Sequence, residues 1–201
     1  SAYALSRLSA EIPVPVIGVI MPGAKKAVFV TKNKKIGVIG TDGTIKSRIY
    51  LNTIKTIDPD VSVFSKACPL FVPLAEEGWI DNDVAFLTAN KYLSELKDEG
   101  IDTLVLGCTH YPILKDIISR VVGSSVTLID SGQETALEAA KVLQDKNLLN
   151  ANPQAQPFRK FFVTDSPERF IQVGELFLGT SFNNNVDKVD VMQYTLLNLA
   201  S

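Results

Sequence analysis

The sequence contains few of the residues that mark a metal site, a disulfide framework or a membrane segment. Its 201 residues include one His, two Cys and one Trp. Two Cys far apart in dissimilar settings do not suggest a disulfide framework and are typical of a reducing compartment. No apolar stretch approaches the ~20 residues that span a bilayer, and the start lacks a basic segment followed by an apolar signal core. We therefore expect a soluble, cytoplasmic protein that has no metal site.

The sequence also has no large excess of positive or negative charge. The chain has 20 basic and 22 acidic residues, a net charge of −2, with no long run of either sign. Nucleic acids and anionic membrane surfaces attract strongly basic proteins and are therefore not expected as partners. Apolar residues make up 46% of the chain, which is enough for a buried core at this length. Length alone allows one domain or two small ones.

Apolar runs alternate with helical patterns along the chain. We predict strands at 16–20, 36–40, 61–65, 103–106, 126–129, 158–163 and 186–191. We predict helices at 3–10, 24–30, 45–57, 83–99, 112–118, 131–146 and 167–177. Segment 68–74 is too rich in Pro for regular structure throughout. The alternation, with connections long enough for parallel pairing, predicts an α/β fold of doubly wound parallel sheets.

The candidate catalytic residues lie on the turn after the 103–106 strand. Cys108, Thr109 and His110 follow Gly107 there, and Pro112 is placed to begin the next helix. Ligands of open α/β sheets bind at the carboxyl ends of strands. A helix amino terminus at that place makes a thiol easier to ionise than a free one of pKa ~8.5. The alternative is that the Cys is a small buried apolar residue and the His a structural group.

The segment 106–112, Leu-Gly-Cys-Thr-His-Tyr-Pro, resembles the second cysteine motif of glutamate racemases. Segments 18–24, 39–45, 67–74 and 129–132 fit the same family in the same order. The resemblance implies a cofactor-independent isomerase that interconverts L- and D-glutamate by proton transfer between two Cys, for peptidoglycan synthesis, cell wall biogenesis and cell shape. It makes glutamate the small-molecule partner and leaves a homodimer open.

Family members begin with a segment that this sequence does not contain. That segment carries an Asp-Ser pair, a Tyr-Gly pair and a first cysteine motif, Ala-Cys-Asn-Thr, and none of these is present. We therefore expect a racemase lacking its amino-terminal segment, which supplies one of the two Cys. The resemblance also implies that residues 22–129 form one complete lobe with the Cys-Thr-His motif. Residues 1–21 and 130–201 would be the remainder of a second, similar lobe.

The resemblance assigns roles to residues around Cys108. Thr109 and His110 match the positions that contact substrate and handle protons, and Glu76 matches an auxiliary acid or base at the cleft mouth. The structural alternative for Glu76 is a solvated helix end. Cys68 belongs to a different segment of the family, and its apolar neighbours favour a structural thiol of raised pKa.

The small-residue loop 41–44 has both a structural and a functional interpretation. Thr44, or Asp42 before it, is predicted to cap the following helix. Backbone N–H groups at a helix start and Thr hydroxyls also bind anions, so Thr41 and Thr44 are candidate contacts for a carboxylate substrate. Ser131 with Glu134 three residues later fits a capping box.

Two other functions stay open. The chain could be a non-catalytic glutamate-binding or regulatory remnant of a racemase. It could also be a cysteine hydrolase, in which His110 activates Cys108 and a third group orients the imidazole.

Overall fold

The computed structural model describes residues 5–150, 152, 154, 158–181 and 185–191. Its contacts divide the chain into two units, Ser1–Leu149 and Asn150–Ser201. The first two residues of the predicted helix 3–10 lie outside the described residues. Among the described residues, no helix combines the length and the apolar character needed to cross a bilayer.

The first unit is built on a four-stranded parallel sheet. Its strands are β1 (Lys35–Gly40), β2 (Ser62–Ala67), β3 (Thr103–Leu106) and β4 (Thr127–Asp130), in the spatial order β2-β1-β3-β4. From β1 the chain first moves to β2 on one side and then returns to β3 on the other. The strand order therefore reverses between β1 and β3, which is where open α/β sheets form a ligand crevice.

Helices cover both faces of this sheet. The α-helices of this unit are α1 (Leu5–Glu11), α2 (Ile20–Val30), α3 (Asp42–Lys46), α4 (Ile49–Ile57), α5 (Phe71–Glu76), α6 (Asp83–Asp98), α7 (Lys115–Val122) and α8 (Ser131–Asp145), and a 3₁₀ helix (Tyr111–Leu114) precedes α7. The α2 helix packs against α4 and α8 on one face, where the core includes Ala27, Ile54 and Val105. On the other face α6 packs against α7, and the core includes Leu93 and Ile118. The predicted doubly wound α/β architecture is confirmed.

Asp102 fixes the amino end of β3. Its carboxylate accepts hydrogen bonds from the Thr31 hydroxyl at 2.6 Å and from the backbone N–H groups of Lys32 and Asn33 at 2.7 and 2.8 Å. Burial by itself would raise the pKa of Asp102, but these hydrogen bonds and one from Thr103 outweigh it and lower the pKa. The loop after α2 is thereby tied to the start of the central strand.

Several predicted elements differ from the observed ones. The predicted helix 112–118 begins as a 3₁₀ helix at Tyr111–Leu114, and the α-helix α7 starts only at Lys115. No strand forms at 16–20, because the described residues contain no neighbouring strand for it and α2 already begins at Ile20. The predicted helix 45–57 is interrupted by Arg48, whose φ of 54° is left-handed and separates α3 from α4. The Pro-rich segment forms the short helix α5, since Pro73 lies in its first turn, where no intrahelical N–H is needed.

The caps of two helices are also reassigned. Thr41, and not Thr44 or Asp42, caps α3 by accepting from the Thr44 backbone N–H. Asp130 caps α8 by accepting from the N–H groups of the second and third helical residues, which leaves Ser131 inside the helix rather than in a capping box. Both caps have extended backbone. Thr41 lies one residue before Asp42 and three before Thr44, and Asp130 lies one residue before Ser131.

The second unit contains a strand-helix-strand element. Strands β5 (Phe161–Val163) and β6 (Val186–Lys188) pair in parallel, joined through α9 (Pro167–Leu178). Ser166 caps α9 by accepting from Arg169, and Gly179 ends it with a φ of 64°. The predicted strands 158–163 and 186–191 form, but both are shorter than expected. The division into lobes at residues 22–129 stays a prediction.

Candidate active site

A cavity of about 170 Å³ lies at the carboxyl ends of β3 and β4, beside the point where the strand order reverses. Its lining comes from the loop before α2, from α4, from the turn after β3 and from the start of α8. The lining residues are Val19, Tyr50, Leu106, Gly107, Cys108, Thr109, Pro112, Asp130, Ser131 and Gly132. Two of the predicted site residues, Cys108 and Thr109, therefore line this cavity.

The Cys108 thiol is half-buried in the wall of this cavity. Burial raises its pKa, although hydrogen bonds from the His110 backbone, the Thr109 side chain and the Tyr111 backbone act to lower it. The expectation that the helix amino terminus makes this thiol easier to ionise is therefore wrong for the free site. Desolvation exceeds the stabilisation that the local donors give to the thiolate.

The side chain of His110 is held between two partners. Its Nε2 lies 3.2 Å from Glu76 Oε1, and its Nδ1 lies 3.4 Å from Thr109 Oγ1. Glu76 comes from the last turn of α5, 34 residues earlier in the chain. The tertiary structure thus brings together the predicted imidazole and the predicted auxiliary acid next to the cysteine turn.

Thr41 and Thr44 lie at the carboxyl end of β1, the strand beside β3. Their hydroxyl oxygens are 3.1 Å apart, and Thr41 Oγ1 accepts from the Thr44 backbone N–H at 3.4 Å. The Gly107 N–H donates to the Ile39 carbonyl at 2.8 Å, which joins the ends of the two strands. The Thr pair therefore flanks the reversal point but does not line the cavity around Cys108.

Cys68 is in a different environment. It follows β2, is fully buried, and its Sγ lies 3.8 Å from the Lys66 carbonyl. Burial raises the pKa of Cys68 to about 12. The prediction that apolar surroundings raise the pKa of this thiol is confirmed.

Tyr50 and Ser131 also line this site, although no sequence pattern indicates them. The Tyr50 hydroxyl lies 2.8 Å from Ser131 Oγ, and both side chains line the cavity that holds Cys108. The sequence predicts Ser131 as a helix cap, and Tyr50 lies inside a helix with no motif around it. No signal in the sequence pairs two residues that are 81 positions apart.

Among the described residues, no group of three or more His, Cys, Asp or Glu side chains is arranged to hold a metal ion. The chemistry available at this site is proton transfer by a thiol and an imidazole, with hydroxyl and backbone N–H donors around them.

Residues 1–139 match the profile of the Asp/Glu/Hydantoin racemase family. The chain belongs to this family. A glutamate racemase of Geobacter metallireducens is 53% identical over 89% of this chain and 66% of its own length.

Solved structures of this racemase family share the fold. Glutamate racemase isoform RacE1 from Bacillus anthracis matches with a TM-score of 0.88 and 42% identity, over 94% of this chain and 70% of that one. Glutamate racemase from Francisella tularensis, solved in complex with D-glutamate, matches with a TM-score of 0.82 and 35% identity over 92% of this chain and 67% of that one. The chain therefore spans about two thirds of the length of these racemases.

Proposed function

We propose that this chain forms one wall of the active site of a glutamate racemase, in which Cys108 exchanges the α-proton of glutamate on one face. The observation that supports this most directly is the position of Cys108 in an open cavity beside the strand reversal, with hydrogen-bond donors around its sulfur. Membership of the racemase family and the glutamate racemases among its relatives support the choice of substrate.

Inversion of the α-carbon needs two acid–base groups on opposite faces of the substrate. With its raised pKa the Cys108 thiol is protonated at neutral pH and is ready to deliver a proton to a carbanion-like carbon. In the opposite direction the same sulfur acts as the base, and the donors of its turn stabilise the thiolate. Cys68 cannot supply the opposite face because it is fully buried, so the proposed mechanism takes the second thiol from outside this chain.

The other side chains around the thiol have separate roles in this proposal. We assign Thr109 to both the sulfur and the substrate carboxylate, and Thr41 and Thr44 to a carboxylate that lies across the strand reversal. His110 keeps the thiol ready to exchange a proton, and Glu76 orients the imidazole through its contact at 3.2 Å. The reaction needs no cofactor in this proposal. Its product would be D-glutamate for bacterial peptidoglycan, made in the cytoplasm.

The test is hydrogen exchange at the α-carbon. The purified chain is incubated with L- or D-glutamate in heavy water, and both deuterium uptake and enantiomer content are followed by NMR. We expect no net interconversion and, where exchange occurs, exchange of one enantiomer that is lost in Cys108→Ser and retained in Cys68→Ser. Full interconversion by the chain would contradict the assignment of a single thiol, and failure to bind either enantiomer would contradict the choice of substrate.

The role of Glu76 has a matched control in the next residue. Glu77 follows Glu76 at the end of α5, but it lines a different, largely apolar groove together with Leu70, Trp79 and Val84. We expect Glu76→Gln to slow the α-proton exchange by about tenfold or more, while Glu77→Gln leaves the rate unchanged. Equal effects of the two substitutions would remove Glu76 from the proposed mechanism.

The two other functions make different predictions in the same assays. A glutamate-binding protein without catalysis would show a glutamate-dependent rise in melting temperature, undiminished in Cys108→Ser, and no exchange. A cysteine hydrolase would form an acyl-enzyme at Cys108 with an electrophilic ester. The contact of His110 with Glu76 resembles an oriented base, which is the one structural observation in favour of the hydrolase.

A further inference from the structure

Two buried hydroxyl groups share a hydrogen bond in the wall of the Cys108 cavity. Tyr50 is 3% exposed and Ser131 is 6% exposed, and the two oxygens are 2.8 Å apart. Both side chains line the same cavity as the thiol. We refer to Tyr50 and Ser131 together as the hydroxyl pair.

The hydroxyl pair has one more hydrogen than its mutual bond uses. Each hydroxyl carries one hydrogen, and the bond between them takes one, whichever oxygen donates. The backbone carbonyl of Ser131 is occupied by the Thr135 hydroxyl at 2.6 Å. Within the described part of the chain, neither hydroxyl oxygen has another protein partner. One O–H group is therefore left without an acceptor among the described residues.

Glycines and a backbone turn fix the position of the pair. A Cβ at Gly23 would lie 2.7 Å from Ser131 Oγ, and one at Gly107 would lie 3.0 Å from the Tyr50 ring. Both glycines therefore leave the space that these side chains occupy. The left-handed Arg48 starts α4 and places Tyr50 in its first turn. The hydroxyl pair is held by elements that are far apart in the sequence.

We propose that the hydroxyl pair donates one hydrogen bond into the cavity and thereby stabilises the thiolate form of Cys108. Tyr50 and Ser131 are positioning residues in this proposal. It rests on the proposed function only in that it takes Cys108 as the group that exchanges a proton. The other anionic group of the cavity, Asp130, already accepts from Gly132 and Gln133 at 2.9 and 3.1 Å. The donors on the Cys108 turn do not outweigh the desolvation of the sulfur, so the thiolate is the anion that a further donor would stabilise.

The pH dependence of the thiol is set by groups from several elements. The titratable side chains that surround it are Tyr50 on α4, His110 and Tyr111 on its own turn, Asp130 at the end of β4, and Glu76 on α5 behind the imidazole. All but Tyr50 are left unchanged in the test, so a shifted profile reports on the hydroxyl pair.

The test is the rate at which iodoacetamide alkylates Cys108 in the full chain, measured from pH 6 to pH 10 by mass spectrometry of the Cys108 peptide. The variants are Tyr50→Phe, Ser131→Ala and the double substitution. Tyr92→Phe is the matched control, because the Tyr92 hydroxyl accepts from Leu70 away from the cavity. We expect the double variant to react about tenfold more slowly at pH 8, with its inflection at higher pH. Each single variant keeps one O–H group and should lie between the double variant and the parent chain.

The direction of the shift separates this proposal from simple loosening of the structure. A loosened cavity would expose the sulfur, relieve its desolvation and move the inflection to lower pH, which would overturn the proposal. An unchanged profile in the double variant would also overturn it. So would an unchanged profile with weaker glutamate binding, because the donor would then serve the substrate carboxylate. Alkylation requires no racemase activity, so a chain that fails to bind glutamate would refute the proposed function and leave this result standing.

Discussion

Cys68 and Cys108 both lie just after the carboxyl end of a strand of the same parallel sheet. Their sulfurs nevertheless lie in different environments. Cys68 comes directly after β2 and is fully buried, while Cys108 comes two residues after β3 and is half-buried in a cavity wall. Burial raises both pKa values, but only the Cys108 sulfur has hydrogen-bond donors that oppose the shift. Position after a strand is therefore not enough to make a reactive thiol.

The difference follows from the order of the strands. β2 is at the edge of the sheet, whereas β3 is central and next to the point where the order reverses. The turn after β3 also covers the turn after β2: Tyr111 donates its hydroxyl to the Cys68 carbonyl at 2.9 Å and packs edge-on against Phe71. The turn that carries Cys108 therefore covers Cys68, while Cys108 itself still lines the cavity.

The largest expected effect is the difference in reactivity between the two thiols. With a pKa of about 12, roughly one Cys68 in 10⁴ is ionised at pH 8. Because Cys68 is both less ionised and fully buried, we expect iodoacetamide to alkylate Cys108 about a hundredfold or more faster than Cys68 in the folded chain, as measured by mass spectrometry of the two cysteine peptides. In guanidinium the two rates should become equal. Similar rates in the folded chain would show that Cys68 is accessible.

Gly107→Ala should disrupt the Cys108 turn and leave the Cys68 turn intact. The added Cβ would lie 2.7 Å from the Ile39 carbonyl oxygen, a backbone atom that cannot move aside easily. We expect the free energy of unfolding in urea to fall by about 3 kcal/mol. Gly43→Ala is the control, since nothing lies within 4 Å of its Cβ position, and it should be neutral or slightly stabilising. Equal losses in both variants would contradict the steric explanation.

The buried Cys68 thiol should make the fold sensitive to alkaline pH. Its pKa is about 12 in the folded state and ~8.5 in the unfolded state. The neutral thiol stabilises the fold fully below pH ~8.5, and this contribution declines as pH rises towards the folded pKa, reaching a loss of about 2 kcal/mol at pH 10. Unfolding free energies at pH 8 and pH 10 test this. Cys68→Ala should lose much less stability over that interval, whereas Cys108→Ala should keep most of the loss.

The smallest expected effect concerns the bond between the two turns. Tyr111→Phe removes one of two donors to the Cys68 carbonyl and leaves the Phe71 N–H at 3.1 Å. We expect a loss of about 1 kcal/mol in unfolding free energy and faster alkylation of Cys68, with little change at Cys108. Tyr92→Phe serves again as the control for loss of a Tyr hydroxyl. A change at Cys108 larger than that at Cys68 would contradict the covering role of Tyr111.

The sequence predicts the sheet better than it predicts the ends of the helices. The strand 103–106 is apolar after Thr103, is buried at every position, and forms as predicted. The predicted strand 16–20 is also apolar but does not form, because pairing depends on a neighbour that its own residues do not specify. The observed caps, Thr41 and Asp130, lie one to three residues before the predicted ones. Several adjacent polar side chains can each cap a helix, and packing selects one of them.

The residues of the site divide in the same way. Cys108, Thr109 and His110 are adjacent in the chain, so a local motif is sufficient to group them. The contact of His110 with Glu76 was suggested by resemblance alone, because 34 residues separate them. Tyr50 and Ser131 had no motif and were missed, since their contact depends on how α4 and α8 pack against α2.

The amino-acid sequence by itself determined the alternation of strands and helices, the parallel sheet and the turn that carries the thiol. These depend on hydrophobic period, Pro and Gly positions and chain connectivity, all of which are local properties. Only the tertiary structure decided which thiol is open, which acid meets the imidazole and which hydroxyls face the cavity. Those outcomes depend on desolvation and on contacts between distant segments, which arise when the helices pack on the two faces of the sheet.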